Sequence, residues 1–334
     1  MKKNIAIIWG GYSSEKVVSE MSAAGICSFI DKERYNIYRV MIDRELWEVD
    51  YNGTGIPLNK NDFSFVADKQ HILFDFAYIT IHGTPGEDGT LQGYLDMLGI
   101  PYSNCGVLAS ALTFNKFACN NFLKSFGIET ANSLILRKND PIHTGEIISQ
   151  LGLPLFVKPN VGGSSFATTK VKESAQLESA IEEAFREAAE VIIECFISGT
   201  EVTCGCFETR KGFTILPLTE VVSSNEFFDY NAKYHGEVEE ITPARIPGEI
   251  TLSIQQETAH IYRLLGARGI VRADYILSDN RPVLLEVNTT PGMTPTSFIP
   301  QQVAAAGMNM RDVLTDIIEY LYHKHKENYK GRQA

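Results

Sequence analysis

The sequence predicts an α/β protein of two or three domains that opens with a doubly wound sheet. Three observations carry this. At 334 residues the chain exceeds what one ordinary core supports. Short apolar runs alternate with helical stretches through its first third, as strands do when helices cross between them. Hydrophobic residues make up 44% and charged residues 21%, an ordinary globular composition.

The elements follow in order. KNIAIIWGGYSSE reads as a buried parallel strand, a glycine turn and a helix from about Ser14. YNIYRVMID and FDFAYITIHG read as further strands, and this unit ends near GIPYSNCG. A helical run from Ala109 carries through NKFACNNFLKSFGI. LPLFVKPNVGGSSFA supplies a strand and a glycine-rich loop, and ESAQLESAIEEAFREAA a charged helix. EVIIECFI is a strand leading into a β-rich segment, in which Cys204 and Cys206 read as half-buried. SSNEFFDYNAKYHGEVEEITPARIPGE lacks periodicity and is long for a connection, which predicts a lid or binding loop over about 223–245. A helix at EITLSIQQETAHIYRLLG, a hairpin and a C-terminal helix follow.

Charge and cysteine usage exclude several classes. Net charge is -11 and the only basic run is Lys324 to Arg332, which argues against duplex nucleic acid as a partner. No C-x-x-C metal spacing occurs among the six cysteines. The apolar run in MKKNIAIIWGG is too short for a signal sequence or a membrane span, so the expectation is a cytoplasmic, reduced protein with no membrane partner.

The chemistry concentrates in GIVRADYILSDNRPVLLEVN. Two β-rich runs flank Ser278-Asp279-Asn280-Arg281, so a hairpin is expected. If its loop holds three residues, Asp274 lies opposite Glu286 and Arg272 opposite Asn288, and all four share one face. A two-residue loop would split them across the sheet. Facing carboxylates repel unless a cation intervenes. Oxygen-only donors suit Mg²⁺ or Mn²⁺, while polar residues at a strand end are the plainer reading.

Other candidates are weaker singly. Lys158 ends an apolar strand before Gly162-Gly163-Ser164-Ser165, where small residues let backbone N–H groups wrap an anion. Lys116 is a second cation that alone would be a surface lysine. Glu194 and Glu201 stand at and beyond a strand end. Glu15 follows the first strand, where open α/β sheets bind ligands, though a glutamate there also suits the helix dipole. His82 ends another strand, with Glu87 and Asp88 behind it.

Taken together, GGYSSEKVVS, HGTPGEDGTLQGYLDMLGIPY, GVLASALTFNK, VKPNVGGSS, ECFISGTE, DYNAKY, ITPARI and EVNTTPGMTPTS resemble, in order, the D-alanine–D-alanine ligases of the ATP-grasp superfamily. The resemblance covers nearly the whole chain. It implies three α/β domains, divided at about 1–104, 105–193 and 194–334, with ATP between the last two. It also implies the reaction: ATP and two D-alanines give D-alanyl-D-alanine, ADP and phosphate. Mg²⁺ or Mn²⁺, two ions per site, and a homodimer through the first domain are implied as well.

Roles follow from matched positions. Glu15 would hold the ammonium of the first D-alanine, with His82 beside that substrate. Lys116 and Lys158 would contact the nucleotide phosphates together with Gly163, Ser164 and Ser165. Glu194, Phe196 and Glu201 match the adenine and ribose contacts, and Lys233 the lid lysine. Asp274, Glu286 and Asn288 match the metal ligands. Arg272 and the Gly292 N–H would form the oxyanion hole, and Ser297 with the Phe298 N–H would seat the second D-alanine's carboxylate. Tyr234 matches the lid tyrosine that bonds toward Ser164 and Glu15 in amide-forming relatives. Ester-forming relatives replace it, and a lid histidine such as His235 can mark them, so D-alanine–D-lactate ligation is the alternative. A nucleotide-binding module without turnover is disfavoured because every metal and phosphate position is filled. Ala167 stands where the family usually has glycine, and alanine tolerates positive φ poorly.

Overall fold

The computed structural model describes residues 2–163, 167–223 and 238–331. Among these, three main sheets carry the chain. The first begins with β1 (Lys3–Gly10), whose apolar run suits a strand covered on both faces; Ile5 to Ile8 are fully buried. β1 pairs in parallel with β2 (Tyr35–Ile42) through the crossover helix α1 (Lys16–Phe29), and with β7 (Phe76–Ile79). The sheet continues past its β2 edge. There β3 (Trp47–Tyr51) and β4 (Thr54–Pro57) add antiparallel strands, giving the order β4-β3-β2-β1-β7. Their turn is Asn52-Gly53, both at positive φ, a strong hairpin signal in the sequence. A small hairpin of β5 (Ser64–Ala67) and β6 (Gln70–Leu73) was likewise unexpected.

After α2 (Thr90–Leu98), the helical run expected as continuous divides into α3 (Val107–Phe114) and α4 (Lys116–Lys124). Asn115 leaves helical geometry between them and caps α4, its side chain accepting from the Ala118 N–H at 2.9 Å. The second sheet is antiparallel, β10-β9-β11-β8. It comprises β8 (Ser133–Arg137), β9 (Leu155–Pro159), β10 (Thr169–Val171) and β11 (Glu190–Cys195), with α5 (Thr144–Leu151) and α6 (Leu177–Glu187) packed on it. The division expected after residue 193 falls inside β11, so Glu194 pairs within this sheet.

The third sheet holds β12 (Thr200–Thr209), β13 (Gly212–Ile215), β14 (Thr219–Ser223), β15 (Val238–Ile241), β16 (Val271–Ser278) and β17 (Arg281–Asn288), with α7 (Gly248–Leu264) against it. Cys204 and Cys206, expected half-buried, are wholly buried in its core. The single helix expected afterwards is two, α8 (Phe298–Ala305) and α9 (Met310–Gly331), parted at Gly307 with φ +69°. α9 returns to the first sheet: Val313, Ile317 and Leu321 share one core with Ile5, Ile7, Tyr35 and Tyr78. Lys3 Nζ and the Tyr35 hydroxyl both donate to Glu319 of α9, at 2.8 and 2.9 Å.

The β16–β17 hairpin differs instructively from expectation. Its loop is two residues, Asp279-Asn280, both at positive φ, with Ser278 opposite Arg281. That register alone would send Asp274 and Glu286 to opposite faces. A bulge corrects it: Tyr275 pairs with Leu284 but Asp274 with Glu286, leaving Leu285 as an extra residue. The predicted loop was wrong and the predicted convergence stands.

Candidate active site

A cavity of about 780 Å³ lies where the three sheets approach one another. Glu15, Lys116, Lys158, Gly163, Glu194, Phe196, Glu201, Asp274 and Glu286 all line it. Arg272, Asn288, His82, Gly292, Ser297 and Phe298 stand outside that lining. Ser164, Ser165, Lys233, Tyr234 and most of the expected lid lie outside the described residues.

The hairpin supplies the densest polar face. Arg272 donates to both oxygens of Asp274, from Nε at 2.8 Å and from a terminal nitrogen at 2.7 Å. Thr203 of β12, paired with Asp274 across the ladder, donates its hydroxyl to Oδ1 at 2.6 Å. Asn288 Nδ2 donates to Asp274 Oδ2 at 2.9 Å and to Glu286 Oε1 at 3.4 Å. The side-chain oxygens expected around a common point therefore surround an amide nitrogen, because facing carboxylates need a donor or a cation between them. The amide is nearly symmetric in shape, so a half-turn exchanges nitrogen for oxygen and completes an all-oxygen donor set. The set fits Mg²⁺ or Mn²⁺, with room left for phosphate oxygens. Among the described residues no group of three or more His, Cys, Asp or Glu gathers in this way.

Burial opposes the charge of Arg272, but Asp274 and Glu286 together outweigh it and raise its pKa. Lys158 behaves alike: burial lowers its pKa, and Glu194, with Oε2 2.6 Å from Nζ, joins Glu286 in raising it overall. Lys116 Nζ lies 3.7 Å from Glu286 and also donates to the Gly162 carbonyl, tying α4 to the glycine-rich loop. That loop approaches Glu15 so closely that a Cβ on Gly163 would stand 2.9 Å from Glu15 Oε1. Beyond it Ala167 does take positive φ, +50°. Phe196 packs on Phe156 with centroids 5.8 Å apart, and Lys170 Nζ lies 3.8 Å from its centroid.

The first-sheet side is arranged differently. Glu15 and His82 are buried. His82 Nε2 lies 3.2 Å from Ser22 Oγ, and Ser22 accepts from the Met293 N–H at 3.4 Å, so this crevice joins the loop carrying Gly292. Burial, with help from the Arg272 charge, holds the His82 pKa down to about 4. Ser297 Oγ accepts from the Thr294 N–H at 3.1 Å at the start of α8, and the Phe298 ring lies 5.2 Å from the Arg272 guanidinium.

Two groups of the site have no role in the sequence reading, although Glu87 is noted there behind His82. Glu87 accepts from the Gly83 N–H at 2.7 Å; burial first, then Glu15, pushes its pKa up to about 8. In sequence it looks like part of a Gly-Glu-Asp-Gly turn. Thr203 had a usable signal, since strand alternation puts it on the face of Glu201.

Residues 4–105 match the protein family described as D-ala D-ala ligase N-terminus, and residues 122–319 the family described as D-ala D-ala ligase C-terminus. The D-alanine–D-alanine ligase of Parabacteroides distasonis is 60% identical over 321 residues, 96% of this chain and 97% of its own. That of Porphyromonas gingivalis is 60% identical over 322 residues, 95% of this chain and 98% of its own. A D-Ala:D-Ser ligase from Enterococcus faecalis shares the fold with a TM-score of 0.85 at 33% identity, covering 96% of this chain and 100% of that one. A D-alanine–D-alanine ligase from Bacillus anthracis, solved with ATP, gives 0.79 at 32%, covering 98% and 99%. The architecture is ATP-grasp, and with both halves matched and near-full-length relatives at 60% identity, the chain belongs to the D-alanine–D-alanine ligase family.

Proposed function

We propose that the chain joins two D-alanines into D-alanyl-D-alanine at the expense of ATP. The observation that carries this reading is the single polar face of the β16–β17 hairpin, set across one cavity from Glu15, Lys116 and Lys158. A carboxylate is a poor acyl donor. Its oxygen therefore takes the γ-phosphoryl group of ATP, ADP departs, and D-alanyl phosphate forms. The amine of the second D-alanine attacks the carbonyl carbon, the bond from that carbon to the phosphate oxygen breaks, phosphate leaves, and the amide nitrogen loses a proton.

In this reading Glu15 receives the first ammonium, and neutral His82 steadies the crevice through Ser22. Lys116, Lys158 and the glycine-rich loop face the phosphates; Glu194, Phe196 and Glu201 face the adenosine. Asp274, Glu286 and Asn288 would hold Mg²⁺ or Mn²⁺, two ions to a site. A divalent ion bound there supplies charge neutralisation for the phosphate oxygens, much of what phosphoryl transfer requires. Arg272 and the Gly292 N–H stabilise the oxyanion of the second step, typically about 2.7–4 kcal/mol per donor. Ser297 and the Phe298 N–H seat the second carboxylate.

The described residues contain no helix long and apolar enough to cross a membrane. All six cysteines are free thiols, in keeping with a reducing, cytoplasmic setting. Met97 lies exposed on α2, beside Val107 and Leu108 on α3 just past the first domain; this apolar patch supports a homodimer through the α2 side of the first domain. The division into three domains follows the three sheets, with the second boundary moved beyond β11.

ADP release measured with D-alanine, L-alanine and D-lactate tests the reaction. D-alanine alone should support turnover, with D-alanyl-D-alanine as product. Tyr234→Phe should then allow D-lactate as second substrate below neutral pH, where the amine of D-alanine is protonated. A variant that makes only dipeptide at every pH would move the choice of nucleophile away from Tyr234.

A further inference from the structure

Gln302 has no role in the scheme above, and in sequence it resembles the polar face of a surface helix. It is instead fully buried, at 0% exposure. Its Oε1 accepts from the Gly205 N–H at 3.0 Å, while Nε2 donates to the Thr203 carbonyl at 3.0 Å and to Thr219 Oγ1 at 3.1 Å. The reason lies in the edge of β12. That edge pairs with β14 over Glu201 to Thr203 and with β13 from Cys206 onward, and changes neighbour between them. In the connection Leu216-Pro217-Leu218, Leu216 N bonds the Gly205 carbonyl, but Pro217 has no N–H to offer. Gln302 satisfies the Gly205 N–H and bonds the Thr203 carbonyl in the ladder's place. The fit is close: a Cβ on Gly205 would stand 2.7 Å from Gln302 Oε1 and 2.5 Å from Ile299 Cδ1.

We infer that Gln302 is a positioning residue that sets where the second substrate's carboxylate seat stands relative to the acyl phosphate. The inference rests on the ligase reading proposed above. Gln302 and Phe298 are four residues apart on α8, so the anchor lies one turn, roughly 6 Å, beneath the seat. Along β12 the same anchor holds Thr203, whose hydroxyl bonds Asp274, which in turn is clamped by Arg272. The path therefore runs from the seat along one turn of α8 to Gln302, and from there to the acyl-transfer centre through hydrogen bonds. Ile299 and Val303 also bury α8, but apolar contact is non-directional and tolerates a slide along the sheet. Three directed hydrogen bonds do not.

The test offers two nucleophiles to the same acyl phosphate. D-Alanine needs the carboxylate seat; hydroxylamine has no carboxylate. Hydroxylamine nitrogen attacks the carbonyl carbon, phosphate leaves with the electron pair of the broken C–O bond, nitrogen loses a proton, and the hydroxamate of D-alanine forms. Gln302→Met keeps the side-chain length and removes the hydrogen bonds. Dipeptide formation at low D-alanine should fall about 10–100-fold through a raised KM for the second D-alanine, the size expected for a misplacement near 1 Å. Hydroxamate formation and the KM for ATP should change little. Loss of both products in parallel, or of neither, would make Gln302 a core residue only and overturn the inference. Wild-type protein that makes neither product would instead overturn the ligase reading. If Gln302→Met is not recovered folded, Gly205→Ala presses on the same contact from β12 while keeping every hydrogen-bonding group. It should give the same split, and a parallel loss there also overturns the inference.

Discussion

The two polar clusters that meet across the cavity follow opposite electrostatic plans. On the hairpin each charge has a counter-charge: Arg272 lies against Asp274 and Lys116 near Glu286. Attraction there exceeds the burial penalty on Arg272. In the first-sheet crevice burial wins, pushing Glu87 up to about 8 and His82 down to about 4. One side stores paired ions, while on the other burial favours the neutral forms of Glu87 and His82. The difference matches the ligands each side is proposed to meet. Phosphates and an oxyanion need charges already in place. An ammonium is proposed to meet Glu15, in the crevice that also holds Glu87 and His82.

The largest effect should come from breaking the paired side. Glu286→Gln should cut turnover by on the order of 10²–10³-fold or more while the protein stays folded. Asp274→Asn should do the same and also destabilise the protein by about 3 kcal/mol, since it leaves the Arg272 charge buried without its partner. Steady-state rates and urea unfolding check both. Turnover like that of the unaltered protein at ordinary Mg²⁺ concentration would end the metal assignment.

Glu87→Gln probes the neutral side. The folded pKa of about 8 lies above the ordinary carboxyl value of 4.5, so between the two the folded ligand-free protein holds a proton that the unfolded chain has released. Stability must therefore fall as pH rises from about 4.5 to about 8, and the Gln variant should lose that part of the slope. D-Alanine binding should lower the Glu87 pKa and release a proton, visible as a buffer-dependent binding enthalpy that the variant lacks. An unchanged stability slope in Glu87→Gln would mean that Glu87 is already ionised and that the two clusters are alike.

The smallest effect concerns His82. Its depressed pKa implies the opposite slope: stability falls as pH drops from about 6.5 to about 4, because the unfolded histidine protonates first. Its ring resonances should not titrate between pH 5 and 8. Ser22→Ala should cost about 1 kcal/mol, the usual worth of one hydrogen bond, and leave that silence intact. A His82 titration near 6.5 in the unaltered protein would break the comparison.

Much of this site was legible in the sequence because its residues stand on a hairpin or near strand ends, where alternation, turns and glycines leave marks. Asp274, Glu286, Lys158 and Glu15 could be placed that way. The bulge at Leu285 could not, since a leucine in an apolar strand looks the same paired or extra. Two compensating differences, a shorter turn and a bulge, left the face as expected. Glu87 was hidden because its burial depends on the first-sheet crevice closing around it. Gln302 was hidden because the gap it fills exists only once β13 and β14 part company along β12. The Asn52-Gly53 hairpin, by contrast, is written plainly in the sequence.

The return of α9 to the first sheet has a consequence for synthesis. The face of that sheet carrying Ile5, Ile7, Tyr35 and Tyr78 is covered by a helix made about 300 residues after β1. Throughout translation of the second and third sheets, this apolar face has only the cover that Ala23, Ile26 and Ile30 of the α1 segment provide. The core on this face is not complete until Val313 to Leu321 have left the ribosome, although all the strands of the sheet emerged long before. The growing chain thus carries a sticky surface for most of its manufacture, and chaperone occupancy should concentrate there and end when α9 docks.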